Sequence, residues 1–296
     1  MIAPPGVATN MRTWATEIEQ LLPSLATGHL RDINDDSSGM VFITGTPYYW
    51  SALPAEAHAH QARALAEYRR FADTLSVLIR ESPDDRLATF RDDTALVIRF
   101  INRDAASHET PERVLDEAVG ALRRQVELMD GLYSASANTM LVPDTNALYW
   151  NTALDTWRLP WVSSAFVVVL LPSVLKEIDL HKMDERRSSR REKAERFARQ
   201  VGEYRRRGPL LQAAPLAAGI STVMAIPVEP KMSDSLPWLD PTNLDDRLLA
   251  SVIEVMRLNP HASVVVVTRD VNFQNKLEFA RVPFVSPEDL GIEEHR

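Results

Sequence analysis

The sequence predicts an α/β domain with a central parallel β-sheet flanked by helices in its C-terminal half, preceded by a mainly α-helical domain. Two observations carry this expectation. FVVVLL at 166–171 and SVVVVTR at 263–269 are continuous aliphatic, β-branched runs of the kind buried on both faces of a parallel sheet, and each runs into a helical pattern. In the first half, by contrast, apolar residues recur three and four apart and no comparable run occurs.

The first half reads as helices over 9–28, 54–81, 84–100 and 110–132. Their apolar faces are Met11, Trp14, Ile18, Leu21 and Leu22, then Leu65, Tyr68, Ala72, Leu75, Leu78 and Ile79. The last helix carries Leu115, Val119, Leu122, Val126, Met129 and Leu132. MVFI at 40–43 suits a short strand, and the aromatic cluster TPYYW at 46–50 reads as core or domain interface rather than a base-stacking platform. His58 and His60 stand two apart, so a helix points them to different faces and they make a poor metal pair. The small polar stretch SASAN at 134–138 marks the joint, giving a helical domain over 1–135 and an α/β domain over 139–296.

The second half opens on LVPDTNAL at 141–148, a short strand that ends on Asp144 and turns into a helix. Pro172 and Ser173 start the next helix, with Ser173 as N-cap and Glu177 on its first turns. NLDDRLLASVI at 243–253 is a third helix start, capped by Asn243 or Asp245, and its apolar face is Leu248, Leu249, Val252, Ile253 and Met256. Asp270 follows the 263–269 strand and precedes a helix over 273–280. Four acids in one local context point to one sheet edge. Like charges at such separations repel by several kcal/mol in a partly dry site. A divalent cation neutralises such a cluster, and oxygen-only ligands select Mg²⁺ or Mn²⁺.

The ordered set PDTNAL, LLPSVLKEID, NLDDRLLA and VVVVTRDVNFQNKL resembles the PIN domain family of metal-dependent nucleases over residues 141–290. The resemblance implies hydrolysis of phosphodiester bonds in single-stranded RNA, leaving a 5′-phosphate, with Mg²⁺ or Mn²⁺. It implies Asp144, Asp246 and Asp270 as metal ligands and Glu177 as a ligand directly or through water. Two features depart from the plainest form: the long stretch between Glu177 and Asp246, and Asp245 beside Asp246, which leaves the third ligand ambiguous. Thr145, Asn146, Asp245, Thr268 and Asn272 are candidates for orienting the acids, Asn272 alternatively for capping the next helix.

The segment after Glu177 is the most basic in a chain of net charge −8, and Lys182, Arg186, Arg187, Arg190 and Arg191 are the candidate RNA contacts. Interleaved Glu192 and Glu195 suit surface pairs with Arg196 and Arg199. LPWL at 236–239 is expected to fold over the site. The absence of cysteine rules out disulfides and thiolate zinc sites. The amino terminus lacks a signal-peptide pattern and no run has the length of a membrane span, so a cytoplasmic protein is expected. A phosphatase with an aspartate pair two apart fails on Asn146, and no Gly-rich phosphate loop or Gly-x-Ser-x-Gly elbow occurs. The rival is a non-cleaving RNA-binding or assembly module that keeps the fold. Within the nuclease reading the helical half is expected to recruit substrate, regulate, or mediate self-association into a homo-oligomer.

Overall fold

Strand β3 (Thr139–Pro143) is buried along its whole length, as TMLVP requires of a strand covered on both faces. In the computed structural model it lies inside a six-stranded sheet whose strands follow the order 214–215, 222–225, 166–170, 139–143, 263–267 and 284–285. The structure describes residues 6–26, 30–32, 48–104, 110–130, 139–157, 165–184, 188–216, 221–259 and 262–294. Strands β4 (Phe166–Leu170), β6 (Thr222–Ala225), β7 (Ser263–Val267) and β8 (Phe284–Val285) run parallel. β5 (Ala214–Pro215) closes one edge antiparallel to β6. Five successive residue pairs, from Thr139 opposite Ser263 to Pro143 opposite Val267, join β3 to β7.

The connectivity fixes where a site can form. From β3 the chain steps outward through β4 and β6, then returns to the other side of β3 as β7. The order therefore reverses between β3 and β7, and their carboxyl ends open a crevice there. Among the described residues five α-helices accompany the sheet: α5 (Thr145–Trp150), α6 (Pro172–Lys182), α7 (Ser188–Arg207), α8 (Leu244–Leu258) and α9 (Val271–Phe279). α7 occupies much of the long stretch between Glu177 and Asp246, and it buries Ala194, Phe197 and Tyr204 along one face.

Some starts differ from the sequence reading. Leu171, not Ser173, is the N-cap of α6, because Pro172 takes the first helical position, where its missing N–H costs nothing. Ser173 is buried inside the first turn. Asn243 caps α8, its side chain accepting from the N–H groups of Asp245 and Asp246, which leaves both acids free of capping duty. LPWL does not lie free over the site: Leu236 and Leu239 are buried, and Trp238 meets Phe279 of α9 edge-on at 5.1 Å.

The chain divides into two compact units, Met11–Leu132 and Met1–Asn10 with Tyr133–Arg296. The first is mainly helical, with α1 (Val7–Leu21) entering it, then α2 (Ala55–Leu78), α3 (Asp84–Asn102) and α4 (Pro111–Asp130). A two-stranded antiparallel ladder pairs β1 (Leu30–Asp32) with β2 (Tyr48–Trp50). Trp14, Tyr68, Phe71, Leu75 and Ile79 form its core. Along α4 the buried line is Ala118, Ala121, Leu122, Gln125 and Met129, while Leu115, Val119 and Val126 are only half-buried. The expected stripe is thus rotated toward small residues, because α3 packs closely there and Gln125 bonds Tyr68 and Thr94. Trp50 meets Phe100 edge-on and Arg103 over its face, so it serves packing. The strand expected at 40–43 lies outside the described residues. Among the described residues no helix is long and apolar enough to cross a membrane.

Candidate active site

Asp144 leaves the end of β3 and caps α5. One carboxylate oxygen accepts from the Ala147 N–H at 2.6 Å, and the other accepts from the Thr268 hydroxyl. Thr268 is fully buried at the end of β7, and its hydroxyl oxygen also accepts from the Asp270 N–H at 3.0 Å. One side chain therefore ties the two acids together across the β3–β7 crevice. Asp270 caps α9 in turn, accepting from the N–H groups of Asn272 and Phe273 at 2.9 and 3.2 Å. The capping role open to Asn272 thus belongs to Asp270, and Asn272 contributes its backbone N–H.

Glu177, on α6, accepts from the Thr145 hydroxyl at 2.5 Å, and its other oxygen lies 3.7 Å from His181 Nε2. His181 Nδ1 is 2.9 Å from the Tyr149 hydroxyl. Asp144 is 6% exposed. Burial raises its pKa to about 6; the bonds from Thr268 and Ala147 offset part of the rise, and the charges of Asp270 and Glu177 add to it. Two of the other three acids predicted from sequence, Asp270 and Glu177, thus act on Asp144. Burial, then Glu177, pushes Tyr149 up as well, so it stays a neutral donor at ordinary pH.

Asp246 is held differently. It is 6% exposed, one oxygen accepts from the Asp240 N–H at 2.9 Å, and the other lies 2.6 Å from the Lys276 ammonium. Lys276 also reaches Asn243 at 3.0 Å and Asp245 at 3.5 Å. Burial alone would lower the Lys276 pKa, but Asp246 and Asp245 outweigh it and the pKa is raised. Among the described residues no group of three or more His, Asp or Glu side chains stands ready to enclose a metal ion. Asp144 and Asp270 are tied together through Thr268, Glu177 adds its field, and Asp246 faces Lys276.

Beside Asp270 a cleft of 920 Å³ opens, lined among others by Asn146, Tyr149, Trp150, Ser188, Arg190, Lys193 and Arg269. Of the candidate RNA contacts Arg190 lines it, with its guanidinium 3.5 Å from His181. Lys182 pairs with Asp179, and Arg191 with Glu195, which therefore meets the residue four before it. Arg186 and Arg187 lie outside the described residues. Lys193, from the same basic segment, lines the cleft as well, whereas sequence reasoning missed Arg269 and Trp150 as cleft residues and Lys276 as the partner of Asp246. Arg269 stacks over Trp150 at 4.1 Å and pairs with Glu288 at 2.7 Å. His181 was findable, since it stands one helical turn after Glu177.

The donor chemistry suits a hard divalent cation. Every predicted acid offers oxygen only, the donor type that hard divalent cations prefer, and Asp144 is buried with the charges of Asp270 and Glu177 acting on it. The sequence model of the PIN domain matches residues 141–287, from β3 to β8, and that span contains all four acids. No curated protein matches the chain.

Proposed function

We infer, from a chain whose residues 141–287 belong to the PIN domain family, that the protein is a metal-dependent endoribonuclease acting on single-stranded RNA at the carboxyl ends of β3 and β7. PIN domains are generally nucleases, commonly bind RNA and typically use divalent metals. The observation that carries the finer reading is the Asp144–Thr268–Asp270 linkage. It joins the Asp144 carboxylate to the backbone N–H of Asp270 at the point where strand order reverses, beside a cleft with cationic walls, while the Asp270 carboxylate is held by the first N–H groups of α9.

Asp144 and Asp270 would hold Mg²⁺ or Mn²⁺, with Glu177 directly or through water and Asp246 as the remaining ligand. Such an ion supplies Lewis acidity, lowering the pKa of water and stabilising charge on the phosphate. The chain's own part is orientation. Thr268 and the Ala147 N–H fix both oxygens of Asp144, and Thr145 turns Glu177 toward the same end of the sheet. Arg190, Lys193 and Arg269 line the cleft and would meet backbone phosphates, which position the strand without reading its sequence. Trp150 also lines the cleft, with Arg269 stacked over its ring, so the pair would offer a base a cationic, aromatic wall.

The non-cleaving RNA-binding reading draws on two observations: the ion pair that engages Asp246, and that among the described residues no three acids or histidines stand ready to enclose a metal ion. Incubation of the full chain with a single-stranded RNA decides between them. Cleavage that needs Mn²⁺ or Mg²⁺, stops in EDTA and leaves 5′-phosphate ends is the expected result. RNA left intact at every metal and protein concentration would establish the non-cleaving module instead.

A further inference from the structure

We propose that Lys276 is a positioning residue that serves Asp246 as a resident counter-cation and competes with the divalent ion for that carboxylate. The inference rests on the metal-dependent reading above. Three oxygens surround one ammonium: Asp246 at 2.6 Å, Asn243 at 3.0 Å and Asp245 at 3.5 Å. All three belong to the start of α8, whereas the lysine comes from α9, the helix capped by Asp270. Lys276 stands six residues beyond Asp270, about 9 Å along the helix axis. One short helix therefore presents a predicted ligand at its start and a competing cation two turns later.

A buried carboxylate is costly unless paired. Asp246 is nearly fully buried, and its second oxygen is already satisfied by the Asp240 N–H. The ammonium neutralises it when no divalent ion is bound. For Asp246 to serve an ion, Lys276 must be displaced or must share the carboxylate. Either way its positive charge opposes metal entry, and its removal strengthens metal binding.

The test compares the full-length parent, Lys276→Met, Lys276→Arg and Asp144→Asn. Mn²⁺ affinity is measured by calorimetry and by electron paramagnetic resonance, and melting is followed in EDTA and in Mn²⁺. Lys276→Met is expected to bind Mn²⁺ roughly tenfold tighter than the parent, the effect of losing one nearby like charge. It should melt below the parent in EDTA and regain the difference in Mn²⁺, while Lys276→Arg keeps parental affinity. Equal Mn²⁺ affinity in the parent and Lys276→Met, or a melting deficit that Mn²⁺ leaves unchanged, would overturn the proposal. If Asp144→Asn alone loses Mn²⁺, the metal reading stands even then. Absence of Mn²⁺ binding in all four proteins would remove the metal reading and this inference with it.

Discussion

Asp144 concentrates the cost of the site in a single carboxyl group. Its pKa near 6 lies above the usual carboxylate value of 3.8, so the folded state holds this proton more firmly than the unfolded chain does. The group's favourable contribution is complete below about pH 4 and is lost as the pH rises through 6. A rise of about two in pKa corresponds to at most about 3 kcal/mol. In metal-free buffer Asp144→Asn should therefore gain on the parent between about pH 4 and 6 and hold a constant advantage above, as read from denaturant midpoints. A parent as stable as the variant at pH 7 would mean that Asp144 is not under strain. The same substitution should abolish RNA cleavage. Thr268→Val tests the linkage itself: it keeps the shape but removes the hydroxyl shared by Asp144 and Asp270, and metal affinity or turnover should fall ten- to a hundredfold. Asp144 and Asp270 were legible because each ends an unbroken aliphatic run. The bond that joins them was not, since it spans 124 positions.

Helix starts decide which acids are available for chemistry. α5 and α9 use Asp144 and Asp270 as caps, so these carboxylates are fixed by backbone N–H groups before any ligand arrives. α8 takes Asn243 instead, and Asp246 is spared. The sequence left Asn243 and Asp245 as equal capping candidates, since both residue types cap well and only the backbone path chooses. α7 shows the converse limit. Its basic density was evident, yet which cations face the cleft depends on how the helix is rotated over the sheet, and charge counting does not report rotation. Arg190 and Lys193, three apart, share the cleft face, whereas Arg191 turns to Glu195. Replacing Arg190 and Lys193 with Ala should reduce the slope of log affinity against log salt for single-stranded RNA by about 1.4, the equivalent of two phosphate contacts. An unchanged slope would return both residues to surface duty.

At the scale of the whole chain, the sheet order explains why acids 126 positions apart in sequence meet. β3 and β7 are adjacent, and the strand order reverses between them, so both carboxyl ends border one crevice. The aliphatic runs made the parallel sheet readable and helical spacing made the first unit readable. The short strands β1, β2 and β5 carry no such signal, because two or three residues establish no period. A ligand that binds only the folded site protects that unit. Hydrogen exchange should accordingly slow on adding Mn²⁺ in β3, β7 and the first turns of α5 and α9, and stay unchanged in α2, α3 and α4. Uniform protection across both units would contradict a metal site confined to the sheet edge.

Anomalous scattering from a crystal of the full chain soaked in Mn²⁺ bears most directly on the site. A peak within coordination distance of both Asp144 and Asp270 is the expected result. A fully soaked crystal with no peak there, or with its peak away from the ends of β3 and β7, would show that these acids do not hold the ion.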